Sequence, residues 1–211
     1  MNEDNVLKLD TVIRESLAPS LRADGFAGSG RTFRRVRNAW VQVVNIQGAR
    51  EGGRFAINLG LQPLAIPDAL GNAPEPKRLT ESLCEFRRRL AERGADQWWS
   101  HAPAAESLRA AVSAAARVYV ETGRPLLDRL ATPDMPMNTV TPDDFAHGRY
   151  DFSGFAATMA RMALALARLR QAQGQVAASV AFARLGLTHC GDGATGLRRD
   201  LEALIPPIPG Q

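Results

Sequence analysis

The chain has 211 residues, 45% of them hydrophobic, which is enough to bury one substantial core with a helical addition. Its net charge is +4, and all but Lys8 and Lys77 of the 26 basic residues are arginine, a bias that invites phosphate recognition but that genome composition explains equally well. The two cysteines, Cys84 and Cys190, have no paired spacing, so a disulfide framework and a cysteine zinc site are excluded.

The opening MNEDNVLKLD is acidic and polar, unlike a basic export leader, and Arg161 and Arg168 interrupt the most apolar segment, Phe155 to Leu169, short of the roughly 20 residues of a membrane helix. The expectation is a cytoplasmic protein with no membrane partner. After the candidate caps Asp4 and Asn5, the residues Val6, Leu9, Ile13, Leu17 and Leu21 recur at helical spacing, with a break or new turn at Pro19 and a stop at Gly25. Ala27 to Gly30 reads as a loop.

Next come three strands. Arg31 to Arg37 turns at Asn38-Ala39 into Trp40 to Gln47, and the loop GAREGG leads into Arg54 to Gln62. With Gln47 opposite Arg54, period-two alternation puts Phe33, Trp40, Val44, Ile46, Phe55, Ile57, Leu59 and Leu61 on one face, the core. Arg35 then faces Gln42. The other face carries Thr32, Arg34, Val41, Val43, Asn45, Gln47, Arg54, Ala56, Asn58 and Gly60, too polar for a dry interior without partners. Asn45 and Asn58 are expected to lie diagonally on it. Residues 22 to 54 hold seven arginines against Asp24 and Glu51, a local excess of +5.

Pro63 to Pro76 is an irregular crossing. Leu79, Leu83, Phe86 and Leu90 predict a helix from about Thr80 that stops at Gly94, with Arg87, Arg88 and Arg89 fanned around it. Trp98-Trp99 follows, then a helix after Pro103 through Leu108, Val112, Ala115 and Tyr119 to Gly123, and a short one over Pro125 to Leu130. Thr132 to Ser153 is rich in proline and aspartate. Beyond it, Phe155 to Ala172 and Val176 to Leu187 form a helical hairpin around Gly174, and a last helix spans Leu197 to Leu204. The hairpin resembles one tetratricopeptide-type repeat, with Ser179 and Gly186 against that pattern; such a unit cannot bury its own face and must dock on the rest of the chain or on a partner.

The stretches LAPSLRADGFAGSGRTFRR, VVNIQ, RFAINLGL, and LCEFRRRL followed by QWW resemble a bacterial family known as domain of unknown function 4304, over about residues 5 to 130. The resemblance implies an architecture and no reaction. It puts Asn45, Gln47, Asn58, Gly60, Cys84, Arg88, Trp98 and Trp99 at family positions.

Sequence motifs for chemistry are weak. GDGATG, Gly191 to Gly196, has the letters of a dinucleotide fingerprint but follows a helix instead of a strand. Asp143, Asp144, His147 and Asp151 have donor spacing for a divalent cation, yet Thr141-Pro142-Asp143-Asp144 is also ordinary helix-start chemistry. His189, Cys190 and Asp192 lack a second close thiolate or imidazole, and His101 reads as a surface residue. No catalytic residue, metal site or cofactor is assigned. The ligand-binding candidates are Arg34, Asn45, Gln47, Arg54 and Asn58 on the polar sheet face, against a purely structural amide network.

The fold class expected is α+β: a small antiparallel sheet of at least three strands flanked by helices, with an all-helical C-terminal extension. Residues 1–131 are expected to form the family-like domain, 132–153 a connecting segment, and 154–211 a helical extension packed on the first domain. The expected function is binding, without catalysis, of a protein partner in the manner of an immunity protein. Nucleic-acid binding through the arginine-rich sheet region is the first alternative, and an enzyme with its site on the polar sheet face the second.

Overall fold

A computed structural model describes residues 8–94 and 96–207. Val6 and the caps Asp4 and Asn5 lie outside the described residues; α1 is seen from Leu9 to Ser16 and α2 from Ala18 to Ala23, with Pro19 in the first turn of α2. The sheet is antiparallel: β1 (Ala27–Ser29), β2 (Thr32–Arg37), β3 (Trp40–Gly48), β4 (Arg54–Pro63) and β5 (Phe86–Arg89) are neighbours in that order, and β6 (Trp99–Ser100) pairs the start of β4. The architecture is α+β, with helices packed on one sheet face and a helical C-terminal region.

The first turn forms as expected. Asn38 and Ala39 both take positive φ (46° and 63°), the geometry that suits the twist of a two-residue hairpin, and Arg37 pairs with Trp40 across it. Arg35 faces Gln42. In the second hairpin the register differs by two residues from the expected one: Gln47 faces Ala56, and Ala49 N donates to Arg54 O. Gly52 and Gly53, at φ 77° and 70°, let the chain turn within Arg50 to Gly53, so the strands run further into the loop. A two-residue shift preserves the alternation, and the assignment of faces stands. It also makes Asn45 and Asn58 direct cross-strand partners instead of diagonal ones.

Two segments differ in kind. Ala27–Ser29 is a strand paired with β2, not a loop. More consequentially, the helix expected from Thr80 does not exist: Glu81–Leu83 is one 3-10 turn, and Phe86–Arg89 is β5, hydrogen-bonded along β4. An unpaired β4 edge would leave its amides and carbonyls without partners, and β5 together with β6 supplies them. Gly123 likewise fails to stop a helix. The helix α3 (Ala105–Val118) continues through a π-turn, Tyr119–Gly123, directly into α4 (Arg124–Arg129), and Gly123 packs closely there: a Cβ would come within 3.1–3.2 Å of the Tyr119 and Leu90 side chains.

The core face carries Phe33, Trp40, Val44, Ile46, Phe55, Ile57, Leu59, Leu61 and Phe86, all buried against residues of α1 to α4 and of the later helices. Two polar residues of these strands are buried on this face, Arg35 and Gln42, and both are satisfied. Arg35 Nε donates to Gln42 Oε1 (2.6 Å), Gln42 Nε2 donates to Leu127 O (2.6 Å), and Arg35 pairs with Asp128 (2.6 Å), which fastens α4 to the sheet. Asp24 adds to this by accepting from Tyr119 Oη (2.7 Å) and Arg124 Nε (2.8 Å); burial, with this hydrogen bond, pushes the Tyr119 phenol up.

After α5 (Pro136–Thr139) and α6 (Pro142–Ala146), α7 (Met159–Ala172) and α8 (Val176–Thr188) form the expected hairpin, followed by α9 (Thr195–Glu202). Contacts between this region and the sheet are specific. Ala156 N donates to Arg87 O on the outer edge of β5, Phe152 meets Phe86 edge-on, and Arg161 on α7 makes a two-pronged ion pair with Glu85 (2.8 and 2.9 Å). The buried Arg170 has only carbonyl and amide acceptors, Met137 O, Val140 O and Gln173, and burial lowers its pKa. It holds the segment around α5 against α7.

Candidate functional site

The sheet face away from the helices is neither wholly open nor wholly covered. Its middle, Val41 and Val43, is sealed by Leu79 and Cys84 from the crossing after β4, with Leu64 and Leu83 beside them. That crossing lies close because residue 60 is glycine: a Cβ there would stand 2.7 Å from Cys84 Sγ and 3.1 Å from Glu81 Cα. Cys84 is buried against Val41 and Val43, and burial pushes its thiol up, as suits a packing group.

Beyond this cover, the end of the face nearest the β3–β4 loop is exposed. A groove of about 460 Å³ opens there, lined by Gln47, Asn58, Glu81, Arg87, Arg89 and Asp96 among others. Asn58 Nδ2 donates to Gln47 Oε1 (2.9 Å), and Arg89 Nε donates to Asn58 Oδ1 (3.1 Å). Arg89 also pairs with Asp96 (2.7 Å). Trp98 stands beside this cluster, with the Arg89 guanidinium 4.6 Å and the Arg54 guanidinium 4.9 Å from its ring centroid. Its neighbour Trp99 points through the sheet and stacks on Phe55 at 5.8 Å.

Of the five residues singled out by sequence, the structure brings three together. Gln47 and Asn58 line the groove, and Arg54 reaches it through Trp98 while pairing with Glu51 (2.5 Å). Asn45 is turned to Thr32 Oγ1 (3.0 Å) and is satisfied within β2–β3. Arg34 lies across the covered strip, its Nε donating to Leu79 O. Sequence reasoning missed Arg87 and Arg89 as groove residues. Read as a strand, FRRR puts the first and third arginine on the polar face; read as a helix, it scatters them.

The local excess of +5 shrinks once side chains are placed. Arg31 is paired with Asp10 and Arg35 with Asp128, two acids outside that stretch. The carboxylates of 141–151 are engaged likewise: Asp143 and Asp144 both hold Arg149, and Thr141 caps α6 by accepting from Asp144 N. Hydrogen bonding to Thr141 and Arg149 keeps the Asp144 carboxyl below its ordinary range.

Comparison with protein families finds a match over residues 17–128, more than half of the chain, to the family described as "Domain of unknown function (DUF4304)". The matched span holds every strand and all of the groove residues named above. No curated protein and no solved structure matches the chain.

Proposed function

The chain belongs to the DUF4304 family, and because that membership carries no activity, we propose from the site alone that it is a binding protein recognising a protein partner through the open end of its sheet. The observation that carries this reading is Trp98, held on an exposed sheet face with two guanidiniums against its ring. Tryptophan and arginine are the side chains that most often anchor protein interfaces, where a rigid aromatic surface is ringed by polar groups. The amides of Gln47 and Asn58 and the exposed Arg87 form such a ring, and they suit a partner presenting acidic and amide side chains, as the target of an immunity protein does.

Two features favour this over nucleic acid. Arg54 and Arg89 already have carboxylate partners, Glu51 and Asp96, which diminishes the counterion release that drives phosphate binding. Two guanidiniums already lie against the Trp98 ring, so a base stacking there would compete with them. Catalysis is less favoured than binding because, of the two carboxylates in the groove, Asp96 is held in an ion pair with Arg89, and apart from Glu81 its polar lining is amides and guanidiniums, groups that orient ligands and do not shuttle protons at neutral pH.

The test is affinity capture with the wild-type chain and with Trp98→Ala combined with Arg87→Glu, followed by calorimetry of the retained protein in purified form. The expected result is a binary complex weakened at least about tenfold by the double variant, corresponding to about 1.4 kcal/mol. Duplex and single-stranded oligonucleotides are titrated alongside over a salt series. Submicromolar oligonucleotide binding at physiological salt, falling steeply as salt rises, would replace this reading with the nucleic-acid one.

A further inference from the structure

A second depression lies on the same sheet face, on the far side of the strip sealed by Leu79 and Cys84. Its volume is about 500 Å³, and Gly25, Ala27, Gly28, Arg34, Val36, Pro76 and Lys77 form most of its wall. The floor is apolar. Val36 is 48% exposed, one of few large hydrophobic side chains left open among the described residues, and it points into solvent near the end of β2, where a polar residue would cost nothing in packing.

The rim is cationic, and of its three cations Arg35 is already paired with Asp128. Arg34 and Lys77 both line the depression, and no carboxylate does so among the described residues. Glu75, the acid nearest to Lys77 in sequence, is directed to Arg78 (3.6 Å). Arg34 is fixed in place by its Nε, which donates to Leu79 O, and this leaves the two terminal nitrogens as a preset fork. Burial lowers the Arg34 pKa, as expected for a guanidinium partly withdrawn from water with no anion beside it.

A fork of parallel N–H donors matches the two oxygens of a carboxylate, a second cation strengthens the attraction, and an apolar floor takes a hydrocarbon body. We propose that this depression is a binding site for a small organic carboxylate, an anionic head on a short aliphatic or arylalkyl body, with Arg34 and Lys77 holding the head and Val36, Ala27 and Pro76 the body. It is independent of the protein-binding groove, which lies on the other side of the sealed strip and shares no residue with it.

The experiment is a titration of the full chain with octanoate and with 3-phenylpropionate, read by amide chemical shifts. Octanol supplies the body without the charge, and inorganic phosphate the charge without the body. The expected result is saturable binding of at least one carboxylate below about 10 mM, with shifts centred on Ala27, Val36 and Lys77 and with octanol and phosphate at least about tenfold weaker. Lys77→Glu and Val36→Asn, both exposed and structurally mild, should each weaken carboxylate binding about tenfold or more, whereas Arg87→Glu in the other groove should not change it. Absence of binding by both carboxylates, shifts centred elsewhere, equal binding of octanol or phosphate, or indifference to Lys77→Glu and Val36→Asn would each overturn the proposal.

Discussion

Replacing Arg161 by methionine keeps the stem that packs along α7 and removes only the guanidinium. Its partner, the Glu85 carboxylate, is 1% exposed and receives both arms of the arginine at 2.8 and 2.9 Å. Breaking a buried pair from one side leaves an uncompensated charge, which costs about 3–5 kcal/mol. For a chain of this size that is a fall in melting temperature of roughly 10 °C. The pH dependence identifies the mechanism. Burial already raises the Glu85 pKa above the usual carboxylate value in spite of Arg161, and losing the arginine raises it further. A carboxyl with a raised folded pKa binds its proton more tightly folded than unfolded. The protonated, stabilised form is therefore complete below the unfolded pKa of about 4.3, and stability is lost as pH rises from there through the folded pKa. The wild type shares this loss up to its own folded pKa, so the deficit of Arg161→Met should be small in acid and grow by up to about 1.4 kcal/mol per pH unit between the wild-type and the variant folded pKa of Glu85. Urea denaturation at a series of pH values, with Glu85→Gln/Arg161→Met as the control, measures it. The double variant should recover most of the lost stability and lose the pH dependence. A deficit that is flat with pH, or that Glu85→Gln does not relieve, would show that Arg161 acts through packing and not through the ion pair.

Asn58→Ala removes one donor and one acceptor from the half-buried cluster with Gln47 and Arg89, where water can replace both; less than about 1 kcal/mol of stability should be lost in chemical denaturation, while partner capture falls. A loss above about 2 kcal/mol would mean a sealed network instead of an accessible one. Cys84 is buried with its pKa raised, whereas Cys190 is half-buried, so a thiol reagent at pH 8 should modify Cys190 first and Cys84 only on unfolding, as peptide mass spectrometry would resolve. Equal labelling rates in the native protein would refute the packing of residues 79–84 against Gly60.

The sequence determined the two faces of the central hairpins, because side-chain alternation depends only on whether a residue is even or odd along a strand. The two-residue shift between Gln47 and Arg54 therefore changed partners and left every face intact. It determined the helices for a similar local reason: Leu108 to Tyr119 and Met159 to Ala172 repeat with the period of their own backbone hydrogen bonds, and Thr141 carries its cap within three residues.

The segment from Leu79 to Leu90 was decided only by the tertiary structure. Its apolar residues satisfy helical spacing, but β4 offers a row of unpaired backbone groups, and pairing Asn58 to Leu61 with Phe86 to Arg89 outweighs a local preference worth a few tenths of a kcal/mol per residue. The candidate groove follows from that choice. Arg87 and Arg89 reach it because they alternate on a strand, and Trp98 lies between Arg54 and Arg89 because β5 and β6 share the β4 edge. A pattern of residues encodes its own periodicity; which distant strand it completes depends on backbone groups whose pairing no side-chain pattern records.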